Sequence, residues 1–303
     1  MLERTGPRFI GVQFVALALA WGSSFLFIKI ALEGVNPAQI MLARLLFGAA
    51  LLTAVMLISR RAYPRGWRVW RSLLFISIFL AVIPFTLYAW AGQHIPSGLS
   101  SIYNATTPFA TMIFAMMLLP DEKLTRGGVL GLIVGSVGVV VIAAPWNISF
   151  EGSGADQLLA QLACLGANAC YAISYVLQRR LLRGGQYDPT SIAASQILLA
   201  ALLGLLLAPL IGGLEPVQLS VPVVVSLALL GMLGTGLAYI WVNNIIVTWG
   251  PTPASTVTYV TPVVGVVLGI VVLGETLHWN EPVGGVIILL GVLLTQGVLR
   301  SRS

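Results

Sequence analysis

Charged residues are scarce. The chain of 303 residues holds 16 Lys and Arg and 10 Asp and Glu, which is 9%, where soluble domains carry about 25%. So few ionic side chains cannot coat a water-facing surface of this size, and with 58% of residues hydrophobic a water-soluble globule is excluded. Histidine and cysteine are scarcer still, with two of each. Cys164 and Cys170 stand six positions apart in one apolar run and turn to different sides of a helix, so neither a disulfide framework nor a metal site is expected. No phosphate-binding loop of the GxxxxGK[ST] type is present, and acids and histidines do not cluster as an intramembrane enzyme would need. The reading is therefore a non-enzyme without a cofactor. The net charge of +6 does not point to nucleic acid either, because the bases lie in short spacers between apolar runs and build no polar face.

What is present is hydrophobic length. Arg4 and Arg8 precede a run ending in Ala18-Leu19-Ala20, which imitates a secretory signal. The apolarity continues through Trp21 to Leu32, however, giving about 20 residues, enough to cross about 30 Å of hydrocarbon as a retained first span. Further runs occupy roughly 37–58, 70–93, 97–119 and 127–144, then 158–178, 190–211, 222–247, 252–273 and 283–299. An all-α integral membrane protein of ten transmembrane helices follows. Its only required partners are the lipid bilayer and a small-molecule substrate.

Cytoplasmic loops carry the Lys and Arg of membrane proteins. With the N-terminus inside, every base-bearing spacer falls on that side: Arg4 and Arg8; Arg60, Arg61, Arg65, Arg68 and Arg71; Lys123 and Arg126; Arg179, Arg180 and Arg183; Arg300 and Arg302. Losing or adding one span would destroy this segregation, so both termini are placed in the cytoplasm.

The two halves repeat one another. Tyr88-Ala89-Trp90 returns as Tyr239-Ile240-Trp241, and Pro108 as Pro262. Glu122, Gly131 and Gly138 return as Glu275, Gly284 and Gly291 at a constant offset of 153, while Arg44, seven after Pro37, is matched by Gln196, seven after Pro189. Five spans is an odd number, so the second copy enters the membrane from the opposite side. The expected units are residues 1–145 and 158–300, two inverted five-helix repeats joined by an extracytoplasmic linker at 146–157. Inverted copies can exchange shapes and so move a cavity mouth from one side to the other, which points to a transporter.

Trp21-Gly22-Ser23-Ser24-Phe25, Ala43-Arg44-Leu45, the paired Tyr-x-Trp, Pro108 with Glu122, and Pro262 with Gly274-Glu275 occur here in one order. With them the chain resembles the drug/metabolite transporter superfamily, and within it the ten-helix EamA-type exporters, over essentially its whole length. It departs at Pro120-Asp121-Glu122, where Gly-Glu is usual. The resemblance implies an inner-membrane exporter of amino acids or related small metabolites, with a central cavity between the halves and helices 5 and 10 at the periphery. Export of cationic drugs is the alternative.

Charge at mid-bilayer costs about 2.5–3.5 kcal/mol on insertion scales, so buried ions are candidates for function. Only Lys29 and Arg44 qualify, since all ten acids lie in loops or at helix ends. Such an interior suits a carboxylate-bearing solute better than a cation. Lys29 can alternatively snorkel to the outer interface with Glu33 as its i,i+4 partner. Arg44 lies roughly 10 Å inside Pro37 at about 1.5 Å per residue, and either receives a substrate carboxylate or is fixed on helix-end carbonyls.

Polar and aromatic side chains recur at helical spacing. Asn168, Tyr171, Tyr175 and Gln178 share a face of the sixth helix; Tyr239 and Asn243 share one of the eighth; Asn104 lies in the fourth, and Ser255 and Tyr259 in the ninth. Together with Trp21 and Tyr88 they would line a cavity, or else hydrogen-bond between helices, because lipid cannot satisfy them. Trp67, Trp70 and Trp279 fit an interfacial belt. Pro84, Pro108 and Pro262 fall within spans, and the matched pair Pro108 and Pro262 read as bending points for a rocking motion or as static kinks. The glycine series Gly127, Gly131, Gly135, Gly284 and Gly291 permits close helix contact, within the chain or in a homodimer; a monomer or weak homodimer is expected.

Overall fold

Residues 7–118, 126–143, 154–182, 187–212, 214–249 and 257–295 are described by a computed structural model. They form ten helical passes in two series of five. The first series is α1 (Pro7–Ala31), α2 (Pro37–Ile58), a third pass made of α3 (Trp67–Ser77) and α4 (Ile83–Ala91), a fourth made of α5 (Ser97–Asn104) and α6 (Thr107–Leu118), and α7 (Arg126–Ala143). The second is α8 (Gly154–Leu182), α9 (Pro189–Leu207), an eighth pass made of α10 (Val221–Gly231) and α11 (Ala238–Trp249), α12 (Val257–Leu273) and α13 (Asn280–Thr295). Six of the passes are continuous helices long and apolar enough to cross a bilayer, three are shorter apolar helices, and the fourth pass is interrupted.

The same local chemistry starts corresponding helices. Asn36 caps α2 by accepting from the Gln39 amide N–H while the Gln39 side chain returns a bond to Asn36, and Pro37 follows. Asp188 caps α9 by accepting from Ser191, and Pro189 follows. Both caps also tie the repeats together. The Asn36 amide donates to Gly212 O at 2.6 Å and to Glu215 at 2.7 Å on the outer side. Asp188 pairs with Arg61 at 2.6 Å on the cytoplasmic side.

The third and eighth passes both widen into a π turn at their centres, Ile78–Val82 and Met232–Leu237. Each has a local cause. In the third, Pro84 lacks an N–H, and Ile83 donates to Ile78 O, five residues back. In the eighth, Thr235 lies between Gly234 and Gly236 and turns its hydroxyl onto Leu230 O at 3.1 Å, a side-chain bond that competes with the regular ladder.

The fourth pass corrects the expectation for Pro108. It is not inside a helix but in the first turn of α6, where a missing N–H costs nothing. The interruption lies just before it, at Ala105–Thr106, and the hydroxyls of Thr106 and Thr107 hold the turn by donating to Tyr103 O and Asn104 O at 2.8 Å each. Pro262 does lie inside its helix, α12.

The glycine series is used within the chain. The last helices of the two repeats, α7 and α13, run backbone against backbone: a Cβ on Gly138 would meet Gly284 O at 2.8 Å, and one on Gly291 would meet Gly135 N at 2.6 Å. These contacts engage the glycine faces inside one molecule. Gly291→Val is expected to lower stability by about 1–3 kcal/mol, the usual cost of overpacking. Thermal unfolding in detergent checks this, with Gly11→Val, at a position with open space around it, as the control.

Candidate functional site

A cavity of about 50 Å³ lies where the two repeats meet. Helix α1 presents Trp21, Ser24, Phe25 and Ile28 to it, one face at i, i+3, i+4 and i+7. Opposite are Arg44 of α2, Phe85 and Tyr88 of α4, Asn104 and Thr107 on either side of the fourth-pass turn, Tyr171 and Tyr175 of α8, Tyr239 of α11 and Thr258 of α12. A water needs about 10–15 Å³ of such space, so the cavity has room for a few waters.

Arg44 is 6% exposed and is held on three sides. Its Nε donates to Thr235 Oγ1 at 2.9 Å, its Nη2 to Gly234 O at 3.4 Å, and its guanidinium lies 3.7 Å from the centre of the Phe85 ring. Both hydrogen-bond partners belong to the eighth-pass π turn. Tyr239, from the same pass, donates to Leu80 O of the third-pass π turn at 3.4 Å. The remaining rings form a stack: Tyr171 lies 6.3 Å from Tyr88 and 6.4 Å from Tyr175, and Phe25 meets Tyr88 edge-on at 5.4 Å. Among the described residues no Asp or Glu lines the cavity.

Of the residues singled out in the sequence, Trp21, Arg44, Tyr88, Asn104, Tyr171, Tyr175 and Tyr239 meet here. Asn168 does not line the cavity but lies behind it, 1% exposed. Its amide donates to Tyr103 O at 2.6 Å and Thr106 Oγ1 at 2.8 Å, and its oxygen accepts from Tyr88 at 2.6 Å and Thr107 at 3.1 Å. It therefore fastens the fourth-pass turn to α8 and orients Tyr88.

Asn243 is also away from the cavity, donating to Pro189 O at the start of α9 at 3.0 Å. Lys29 is placed differently from its expected i,i+4 partner. No ion pair with Glu33 forms; its ammonium donates to Gly92 O at 2.7 Å and Ile95 O at 3.3 Å, the carbonyl-rich C-terminal end of α4, where a cation is favoured. The side chain of Tyr259, and Ser255, lie outside the described residues.

The match between Arg44 and Gln196 has a structural counterpart. Arg44 bonds to the eighth-pass π turn, and Gln196 packs on α9 beside the third-pass π turn, its carbonyl accepting from Ser77 at 2.9 Å. Yet the Gln196 amide is fully buried with neither its oxygen nor its nitrogen hydrogen-bonded. Glu275, in the loop after α12, closes the outer end of the fourth pass by accepting from Ser97 N, Ser97 Oγ and Gly98 N at 2.7–3.0 Å.

Sequence reasoning missed Ser24, Phe85, Thr107, Thr235 and Thr258. Phe85 precedes Tyr88 by one helical turn, and Thr235 is a lone hydroxyl between two glycines, so both left a sign.

Ten helical passes in two matched series around a shared cavity are the architecture of a multi-pass membrane protein. The chain belongs to the EamA-like transporter family, whose model matches it twice, over residues 9–144 and 158–296. It is 28% identical over 286 residues to the uncharacterized inner membrane transporter YedA of Escherichia coli K12, covering 93% of this chain and 89% of that one. It is 23% identical over 293 residues to the uncharacterized transporter YoaV of Bacillus subtilis, covering 95% and 97%. A crystal structure at 20% identity superposes with a TM-score of 0.68 over 97% of this chain and 99% of the other, which shows the same fold. The protein is a multi-pass membrane transporter of this family rather than an enzyme.

Proposed function

We propose that the protein exports amino acids or related small metabolites that carry a carboxylate and an apolar body, by alternating access between the two repeats. The observation that carries this reading is Arg44, a buried guanidinium and the one charged group on the wall of a cavity otherwise lined, among the described residues, by neutral side chains, most of them aromatic rings and hydroxyls. A carboxylate entering there would form charge-assisted bonds to a cation already oriented by Thr235 and Phe85. A cationic drug would meet no lining carboxylate among the described residues and would face Arg44 across a small gap, which favours the metabolite reading over the cation one.

Two features support a change of shape. The cavity has room here for a few waters, less than a solute with a sizeable apolar body needs, so loading one requires its walls to part. The paired positions also differ: the Arg44 side chain has partners in the opposing π turn while the Gln196 side chain has none, as expected when two copies of one plan hold different states. The two π turns, the Ala105–Thr106 turn before Pro108 and the Pro262 site are where the backbone ladder is weakest, and these are the proposed bending points.

Counterflow of radiolabelled amino acids in liposomes holding the purified chain tests the reading. Uptake into liposomes preloaded with unlabelled carboxylate solutes is expected; uptake of organic cations alone would overturn it. Within such a panel Tyr239→Ala is expected to change the order of preferred solutes, because its ring bounds the cavity. Trp279→Ala, exposed at the outer end, is expected to leave the order unchanged. Identical profiles for the two variants would remove Tyr239 from the site.

A further inference from the structure

A second, larger concavity opens on the outside of the bundle at the cytoplasmic end of the third pass. It is an open groove of about 470 Å³ between α3 and α9, lined by Gly66, Trp67, Trp70, Arg71, Leu74 and Leu199.

The chemistry of its rim is one-sided. Arg60, Arg61, Arg65, Arg68 and Arg71 fall within twelve residues, and the nearby acid, Asp188, is taken by Arg61. Arg65, Arg68 and Arg71 are exposed and have no ion-pair partner among the described residues. The first turn of α3 adds to this field. Its cap is Gly66, with a φ of 108° and no side-chain bond to the free amides, whereas the corresponding start of α10 is closed by Ser220.

The floor is apolar and leads into the membrane. Leu74 and Leu199 begin a track that continues along one face of α9 through Leu202 and Leu206, which are 55% and 68% exposed. Trp70 is fixed beside it by donating its indole N–H to Pro64 O at 2.9 Å and by contact with Tyr63. Trp67 stands free at the rim, 76% exposed.

We propose that this groove binds an anionic phospholipid of the cytoplasmic leaflet. The phosphate would sit between Arg68, Arg71 and the open first turn of α3, where guanidinium groups can grip it through paired hydrogen bonds. One acyl chain would follow Leu74, Leu199 and Leu202. This goes beyond the proposed solute site and does not depend on it.

The test uses the full chain in phosphatidylcholine vesicles doped with phosphatidylglycerol or phosphatidylcholine carrying brominated acyl chains, which quench tryptophan. The signal of the groove is the part lost in Trp67→Phe/Trp70→Phe. A preference of about tenfold or more for the brominated phosphatidylglycerol is expected, from about fivefold per arginine near the surface. Arg68→Gln/Arg71→Gln is expected to abolish it, and Arg179→Gln/Arg180→Gln, on another cytoplasmic helix end, to keep it. Inorganic phosphate at matched ionic strength is expected to leave it unchanged. Equal quenching by the two lipids in the unaltered chain, retention of the preference in Arg68→Gln/Arg71→Gln, or displacement by inorganic phosphate would each overturn the assignment.

Discussion

Arg44→Gln is expected to reduce exchange of carboxylate solutes by about 10- to 100-fold while the yield of folded protein stays close to that of the unaltered chain. The size follows from losing a charge-assisted hydrogen bond in a buried site, about 1.5–3 kcal/mol, where about 1.4 kcal/mol is tenfold. Arg44→Lys is expected to rescue little. A point charge on a flexible stem cannot hold Thr235, lie flat on Phe85 and present a free edge to the cavity at once. Thr235→Val separates the two roles of Arg44, since it removes the acceptor for Nε and leaves the charge in place. Its effect on transport is expected to be several-fold smaller than that of Arg44→Gln. If Arg44→Gln loses folded protein in proportion to transport, the arginine serves the π turn and not the solute.

Asn168→Leu is expected to have the largest effect on stability, a loss of about 2–4 kcal/mol. The side chain makes four hydrogen bonds at 2.6–3.1 Å, each worth about 0.6 kcal/mol on average and up to about 1.7 inside membranes. Its removal also leaves the Tyr88 hydroxyl without its acceptor in an apolar setting. Tyr88→Phe deletes only one of the four and is expected to cost well under half as much. Unfolding free energies of the purified variants in one detergent decide this. Equal stability of Asn168→Leu and the unaltered chain would mean that the fourth-pass turn is held by its own threonines alone.

The number of passes was legible because it is written in one dimension, as runs of apolar residues. Seven cavity side chains were legible because charges, amides and rings bearing an O–H or N–H find few partners in lipid and tend to turn inward. The interruption at Ala105–Thr106 was hidden. Neither residue is a breaker, and the nearby proline drew attention two positions too late. The π turns were hidden as well, because one extra residue per turn leaves an all-apolar stretch such as Ile78–Val82 unchanged in composition. Asn168 shared a helical face with Tyr171 and Tyr175, and spacing alone could not tell the residue lining the cavity from the one behind it. For Lys29 the i,i+4 rule named a local partner, while the carbonyls at Gly92 and Ile95 come from another helix.

The unpartnered amide of Gln196 has a thermodynamic consequence. Each polar atom left dry and unpaired costs about 1–3 kcal/mol, and that penalty is borne only by the arrangement in which no acceptor or donor is within reach. Any rearrangement of the neighbouring π turn that offers Gln196 a backbone partner regains it, which shifts the ratio of the two arrangements by roughly tenfold or more. Under the alternating access proposed above, a residue that touches no solute would thereby set how long the protein dwells in each of the two arrangements.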